Sequence, residues 1–177
     1  EGGVGVRDAL ITLAWGYETV SVGALPEMAN SYYDTIWGGG VFTRYPLMYP
    51  TQAYQATATL TRVLDRVRFA RQLDTGSLTV YALEFARADG RTVTALWTCR
   101  GEVDVKVLRG RAADVRFVSM LGAERALAGD VVRVSHNPVY LVGSAPLDGV
   151  AVAGPRTFPE EEKVLAGLPP DRVTLAV

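Results

Sequence analysis

EVDVKV, at Glu102–Val107, is the clearest part of the stretch Leu78–Leu141, which decides the fold. Its three valines alternate with charged side chains, so a strand here would carry apolar groups on one face and charges on the other. The run Val93–Cys99 repeats the alternation, with its apolar set on one face: Val93, Ala95, Trp97 and Cys99. We therefore predict strands for both runs, with Trp97 in the core and with Asp104 and Lys106 on the solvent side.

Turn residues separate the predicted strands of this stretch. Ala88-Asp89-Gly90 predicts a hairpin between Leu78–Ala86 and Arg91–Thr98, because Asp and Gly tolerate the positive φ of a tight reversal. Further reversals are predicted at Arg100-Gly101, Arg109-Gly110 and Ala128-Gly129-Asp130. Short strands spaced about ten residues apart indicate antiparallel pairing. The predicted fold class is mainly β, an antiparallel β-sandwich.

Helical patterns precede the strands. The spacing of apolar residues predicts one helix over Val6–Ala14, ending at Gly16, and a second over Thr51–Asp65. A short strand is expected at Glu18–Gly23 and another at Arg68–Leu73, whereas Gly143–Pro155 looks like a loop and Arg172–Val177 like an edge strand. We thus divide the chain into a helix-strand-loop-helix segment (1–66), a sandwich (67–143) and a tail (144–177).

Composition excludes several classes of function. The net charge of −1, with both signs interspersed, gives no basic footprint for nucleic acid. The apolar runs are too short to span a membrane. Cys99 and His136 are the only cysteine and the only histidine, so the sequence excludes an internal disulfide, a multi-cysteine metal site and a two-histidine metal site. No cofactor is predicted. We expect Cys99 to be buried and inert, and His136 to lie in a turn or at an edge.

The beginning of the chain gives one more expectation. It opens at Glu1-Gly2-Gly3, without Met and without a charged-then-apolar leader. We expect a mature product or a segment cut from a longer protein, and the sequence does not indicate a localisation.

A family resemblance rests on three motifs. The run Tyr49–Leu64 (YPTQAYQATATLTRVL) resembles the last helix of the TIM barrel in bacterial glycoside hydrolases, which often carries Pro-x-x-Ala-Tyr-x-Ala followed by Leu-Thr-x-x-Leu. Leu96-Trp97-Thr98 and the closing strand Ser135–Leu141 are similar to strands of the accessory β-sandwich that follows the barrel in those enzymes. The resemblance covers about Val6 to Leu141.

The resemblance implies a fold and a class of enzyme. Val6–Gly16, Glu18–Gly23 and Thr51–Asp65 would correspond to the last β/α units of the barrel, which cannot close without the other strands. The two catalytic glutamates of such enzymes lie on earlier strands, so no catalytic residue is expected in this chain. It implies a non-catalytic C-terminal region that supports the barrel of a glycoside hydrolase, with the rest of that enzyme as its partner.

The aromatic segment Ala24–Pro50 is the best candidate for a binding site. Its length and its rings are unusual for a connection in a compact domain. Trp37, Tyr32 and Tyr33 could stack on sugar faces, while polar side chains bind hydroxyl groups: Glu27, Asn30 and Asp34. The alternative is that the rings bury apolar area against the sandwich.

Two other functions stay open. One is a free-standing carbohydrate-binding module, which needs exposed, coplanar rings and has a glycan as its partner. The other is a structural self-association domain, because helix faces that belong against a barrel would be exposed in this chain and would favour a homo-oligomer.

Overall fold

The computed structural model describes residues 2–20, 28–30, 35–37, 41–42, 49–112 and 114–153. Within them, helix α1 spans Gly2–Ala14 and α2 spans Gln52–Val63. The strands are β1 (Met28–Asn30), β2 (Thr35–Trp37), β3 (Val67–Gln72), β4 (Val80–Arg87), β5 (Thr92–Thr98), β6 (Val103–Leu108), β7 (Arg116–Val118), β8 (Glu124–Ala126), β9 (Val131–Val134), β10 (Val139–Gly143) and β11 (Gly149–Ala153).

Two antiparallel sheets face each other and confirm the predicted β-sandwich. The larger sheet has the strand order β3-β4-β5-β10-β7-β8, and the smaller has the order β11-β6-β9. The inward valines of β6 pack between the sheets, as its alternation predicted, and Asp104 and Lys106 point away from this core. The apolar layer between the sheets also includes Leu96, Val132, Val134, Leu141 and Val150.

A second apolar layer lies between the two helices and the other face of the larger sheet. Val6 and Leu10 of α1 and Ala56 and Val63 of α2 pack there with a buried sheet set: Phe85, Val93, Ala95, Trp97, Tyr140 and Val142. Because both faces of the larger sheet are covered, every residue of β5 is buried, including its threonines. Trp97 is therefore a core residue, as predicted.

Strand connectivity differs from the simplest local interpretation of the turns. The hairpin at Asp89-Gly90 joins β4 to β5 as predicted. The reversals at Gly101 and Gly110 have the expected positive φ, but they carry the chain from one sheet to the other. The partner of β5 on its other side is β10, which is distant in sequence. The turn residues thus predicted where the chain reverses but not which strands pair.

Three local predictions are wrong. Cys99 is exposed, because β5 ends at Thr98 and Cys99 lies in the following turn. Glu18–Val20, the described part of the predicted strand Glu18–Gly23, does not form a strand. The loop predicted at Gly143–Pro155 contains β11, which forms an edge of the smaller sheet. The edge strand predicted at Arg172–Val177 lies outside the described residues.

Candidate functional site

The aromatic segment contains a two-stranded ribbon where the sequence predicted only a loop. β1 pairs with β2, and the register sets Asn30 opposite Thr35 and Met28 opposite Trp37. Trp37 therefore lies on the strand opposite Asn30, two residues beyond Thr35, which pairs with Asn30. The other predicted sugar-binding residues, Glu27, Tyr32, Tyr33 and Asp34, lie outside the described residues.

The end of this segment is fixed to the start of α2. The carbonyl oxygen of Val41 accepts hydrogen bonds from the backbone N of Thr51 at 2.9 Å and from its Oγ1 at 3.1 Å. Phe42 forms an isolated bridge with Pro50, and its ring lies 5.0 Å from that of Tyr54 in α2. Residues 42 and 50 therefore meet beside the first turn of α2.

Exposed rings also follow α1, and the site prediction did not include them. Trp15 is 79% exposed and Tyr17 is 61% exposed, on either side of Gly16, which ends the helix with a positive φ. Two exposed rings next to one helix end offer an apolar surface on which another molecule could pack. A helix-ending glycine between two aromatic residues was the signal that could have drawn attention to them.

An arginine-lined cavity lies at the C-terminal end of α2, against the helix-facing side of the larger sheet. Its volume is about 190 Å³, and its walls come from separate elements: Arg62, Val63, Arg87, Arg91, Arg116, Val118, Glu124 and Val142. Val142 in β10 stands opposite both Val93 and Arg116, so the sheet register places β5, β10 and β7 side by side here. No motif in the sequence predicted this cavity, which we call the arginine cavity.

Glu124 is the one carboxylate among the residues that line the arginine cavity. Its Oε1 accepts a hydrogen bond from Arg62 Nη1, and its Oε2 lies 2.8 Å from Nη2 of Arg116. The guanidinium of Arg62 lowers the pKa of Glu124 below its ordinary value, and the charge of Arg116 adds to this effect. Glu124 is therefore ionised over the whole neutral range.

A buried ion pair lies elsewhere, at the β3–β4 edge of the sandwich. The side chain of Glu84 is 2% exposed, and Arg71 Nε donates to its Oε1 at 2.8 Å. The backbone N of Leu147 donates to the other carboxylate oxygen at 3.2 Å, and Arg71 Nη2 donates to the carbonyl of Leu147 at 2.6 Å. A register shift between Phe69 and Arg71 sets Arg71 opposite Glu84. This bulge turns the guanidinium toward the layer between the sheets, so the pair ties the β10–β11 connection to the edge of the larger sheet.

Two general features limit the chemistry of the described part of the chain. It contains no group of three or more His, Cys, Asp or Glu residues that could hold a metal ion. Neither described helix is long and apolar enough to cross a membrane. His136 is exposed in a bend before β10, where its carbonyl oxygen accepts a hydrogen bond from Arg7 of α1.

Comparison with known proteins identifies a fold. No protein-family model matches the sequence, and no curated protein matches it significantly. Among solved structures, the chain is similar to a family 39 glycoside hydrolase from the gut symbiont Bacteroides cellulosilyticus WH2. The TM-score is 0.66 at 21% identity, and the match covers 80% of this chain but 30% of that one. The chain shares the fold of part of that enzyme.

Proposed function

We propose that this chain is the C-terminal region of a glycoside hydrolase-related enzyme, in which a β-sandwich supports the last helices of a barrel. The observation that carries the proposal is the structural likeness over 80% of this chain to 30% of a family 39 glycoside hydrolase. The contact between α1, α2 and the larger sheet supports it, because Val6, Leu10, Ala56 and Val63 share one apolar layer with the sheet. A sandwich that packs on two helices in this way would hold the end of a barrel in place.

The test begins with the intact gene product. We expect about six further β/α units before this chain, with two glutamates at strand ends, because a barrel needs eight strands to close. The intact product should hydrolyse aryl glycosides, and the isolated 177-residue chain should not. A gene product that lacks such preceding units, or one without glycosidase activity on a broad panel, would contradict the proposal.

We also propose that the aromatic segment contacts the glycan. Its support is the local architecture: β1 pairs with β2 within the segment, and Val41 and Phe42 are joined to the start of α2. Aromatic side chains of such a segment can stack on sugar rings, and neighbouring polar groups can bind the hydroxyls.

Tryptophan fluorescence tests the glycan contact with a matched control. Trp37→Ala should abolish the fluorescence change caused by a bound oligosaccharide. Trp15→Ala removes the same kind of side chain from the end of α1, outside the segment, and should leave binding unchanged. The absence of any response of the parent chain across a broad oligosaccharide panel, or equal loss in both variants, would refute the contact.

Self-association is a second candidate function, favoured by the exposed rings after α1. Trp15 and Tyr17 expose 79% and 61% of their surfaces, and Val4 of α1 exposes 62%. We expect sedimentation velocity to show a concentration-dependent increase in mass, which Trp15→Ala with Tyr17→Ala should reduce. A strict monomer at all concentrations would remove this candidate.

A further inference from the structure

We propose that the arginine cavity binds a compact oxyanion, a sulfate or phosphate group. Four arginines and one glutamate line it, so its walls carry more positive than negative charge. Arginine is the residue best suited to such groups, because its planar fork donates paired hydrogen bonds to their oxygens. This proposal does not depend on the proposed relationship to glycoside hydrolases.

The hydrogen-bond partners show which guanidiniums are available. Arg87 is largely committed: its Nη1 donates to the carbonyl oxygens of Val63 at 2.6 Å and Arg62 at 3.2 Å, and its Nε faces Asp89. It thereby neutralises the negative end of α2, which would otherwise repel an anion. Arg62 is bound to Glu124. Arg87 therefore forms part of the cavity wall, and Arg62, which uses Nη1 on Glu124, keeps its other donors among the described residues.

Arg91 and Arg116 keep most of their donors. Within the described part of the chain, Arg91 uses Nη2 on Asp114 at 3.4 Å, a long contact, and Arg116 uses Nη2 on Glu124 at 2.8 Å. Each guanidinium has five N–H donors, so several on each remain for a ligand. Arg116 lies in β7 and Arg91 immediately precedes β5, so the two guanidiniums come from different parts of the sheet. This arrangement suits a group whose oxygens point in several directions.

The size of the cavity decides the class of ligand. Pockets that enclose drug-sized molecules measure about 300–1,000 Å³. At about 190 Å³ the arginine cavity is smaller and takes one compact group. Its apolar part is formed by three valines, so the arginines supply its binding energy. The occupant is a free sulfate or phosphate ion, or the same group as an ester on a larger molecule.

Calorimetric titration with inorganic phosphate and inorganic sulfate tests the proposal, with sodium chloride at equal ionic strength as the reference. We expect saturable binding of phosphate or sulfate and none of chloride. Arg91→Gln should weaken it about tenfold, because it removes charge-assisted hydrogen bonds to the anion. Arg133→Gln removes the same charge from an ion pair with Glu102 on the smaller sheet, and binding should stay within about twofold of the parent.

Chemical modification gives a second measurement that does not depend on the folding of a variant. Phosphate should protect Arg91 and Arg116 from phenylglyoxal, as mapped by mass spectrometry, and should leave Arg133 reactive. Equal protection of all three arginines, or saturable binding that Arg91→Gln and Arg133→Gln weaken alike, would overturn the proposal. The absence of saturable phosphate and sulfate binding would also overturn it.

A third titration identifies the source of the group. Glucose 6-sulfate that binds more tightly than inorganic sulfate, while glucose does not bind, would support a sulfate carried as an ester. If glucose 6-sulfate binds no more tightly than inorganic sulfate, the result would support a free ion as the occupant of the cavity.

Discussion

Arg71→Met is the substitution that most directly tests the buried ion pair at the edge of the sandwich. It keeps the aliphatic stem of the side chain and removes its charge and its donors. The Glu84 carboxylate, 2% exposed, would retain only the hydrogen bond from the backbone N of Leu147. Loss of one partner from a buried pair costs about 3–5 kcal/mol. Because Arg71 itself is 47% exposed, water can reach the site, and we expect the lower end, about 3 kcal/mol.

The matched control is Arg133→Met on the smaller sheet, which breaks an ion pair of similar length with Glu102 and a longer one, 3.9 Å, with Asp104. Arg133 and Glu102 expose 67% and 59% of their side chains, so their pair should contribute no more than about 1 kcal/mol. Urea unfolding followed by far-ultraviolet circular dichroism measures both variants. With a slope of about 2 kcal/mol per molar urea, the midpoint should fall by about 1.5 M for Arg71→Met and by at most about 0.5 M for Arg133→Met.

A double variant separates the free-energy cost of the unpaired buried charge from the cost of the lost contacts. Arg71→Met with Glu84→Gln removes the charge that Arg71→Met leaves buried, and the amide oxygen of the new side chain can still accept a hydrogen bond from the backbone N of Leu147. The double variant should therefore recover about 1–2 kcal/mol relative to Arg71→Met alone. Equal midpoints for Arg71→Met and Arg133→Met would refute the reasoning, as would a double variant less stable than Arg71→Met.

Two further predictions concern the connections around this core. Hydrogen bonds from Ser144, chiefly from its side chain at 2.6 Å, lower the pKa of Asp114 from 3.8 to about 2. The stabilisation from these bonds is therefore present above about pH 4 and is lost as the pH falls through about 2. Ser144→Ala should raise this pKa, as carboxyl carbon NMR against pH will show, and an unchanged midpoint would contradict the assignment. Gly122→Ala should destabilise the chain more than Gly90→Ala, although both glycines have a positive φ. A Cβ at position 122 would lie 2.9 Å from Thr59 Oγ1, whereas a Cβ at position 90 would meet nothing within 4 Å. Gly90→Ala should cost about 1 kcal/mol in thermal unfolding; equal costs would mean that the contact with Thr59 relaxes freely.

Local signals in the sequence were sufficient for β3 to β6 and for the hairpin between β4 and β5, but not for β7, β8 or β11. The alternation in Glu102–Val107 predicted β6, because one face of that strand is solvated and therefore carries charges. The same rule could not describe β5, which is covered on both faces: Thr94 and Thr98 alternate with apolar residues and yet are buried. Polar residues at alternate positions of a strand indicate a solvent-exposed face only where that face of the sheet is uncovered.

Long-range pairing is the part of the fold that the sequence did not predict. Gly101 and Gly110 were identified as reversals, but a positive φ does not specify which sheet the chain enters next. The arginine cavity was missed for the same reason. The pairing of β10 with both β5 and β7 brings Arg91 and Arg116 together, whereas Arg62 comes from α2 and Arg87 from the end of β4. The pairing of Arg71 with Glu84 likewise depends on a bulge that carries no sequence signal of its own.

The shared apolar layer bears on how the chain supports a larger enzyme. The helix-facing side of the larger sheet includes Phe85, Trp97 and Tyr140, all fully buried beneath α1 and α2 or beside them. Side chains of the sheet itself cover part of these rings, since Phe69 lies against Phe85 and Tyr81 stacks on Trp97. The helices cover the rest, and about 100 Å² of apolar area that they bury contributes about 2.5 kcal/mol. The helices therefore contribute to the stability of the sandwich. By the same contacts, it would hold those helices in place for the barrel to which we propose they belong.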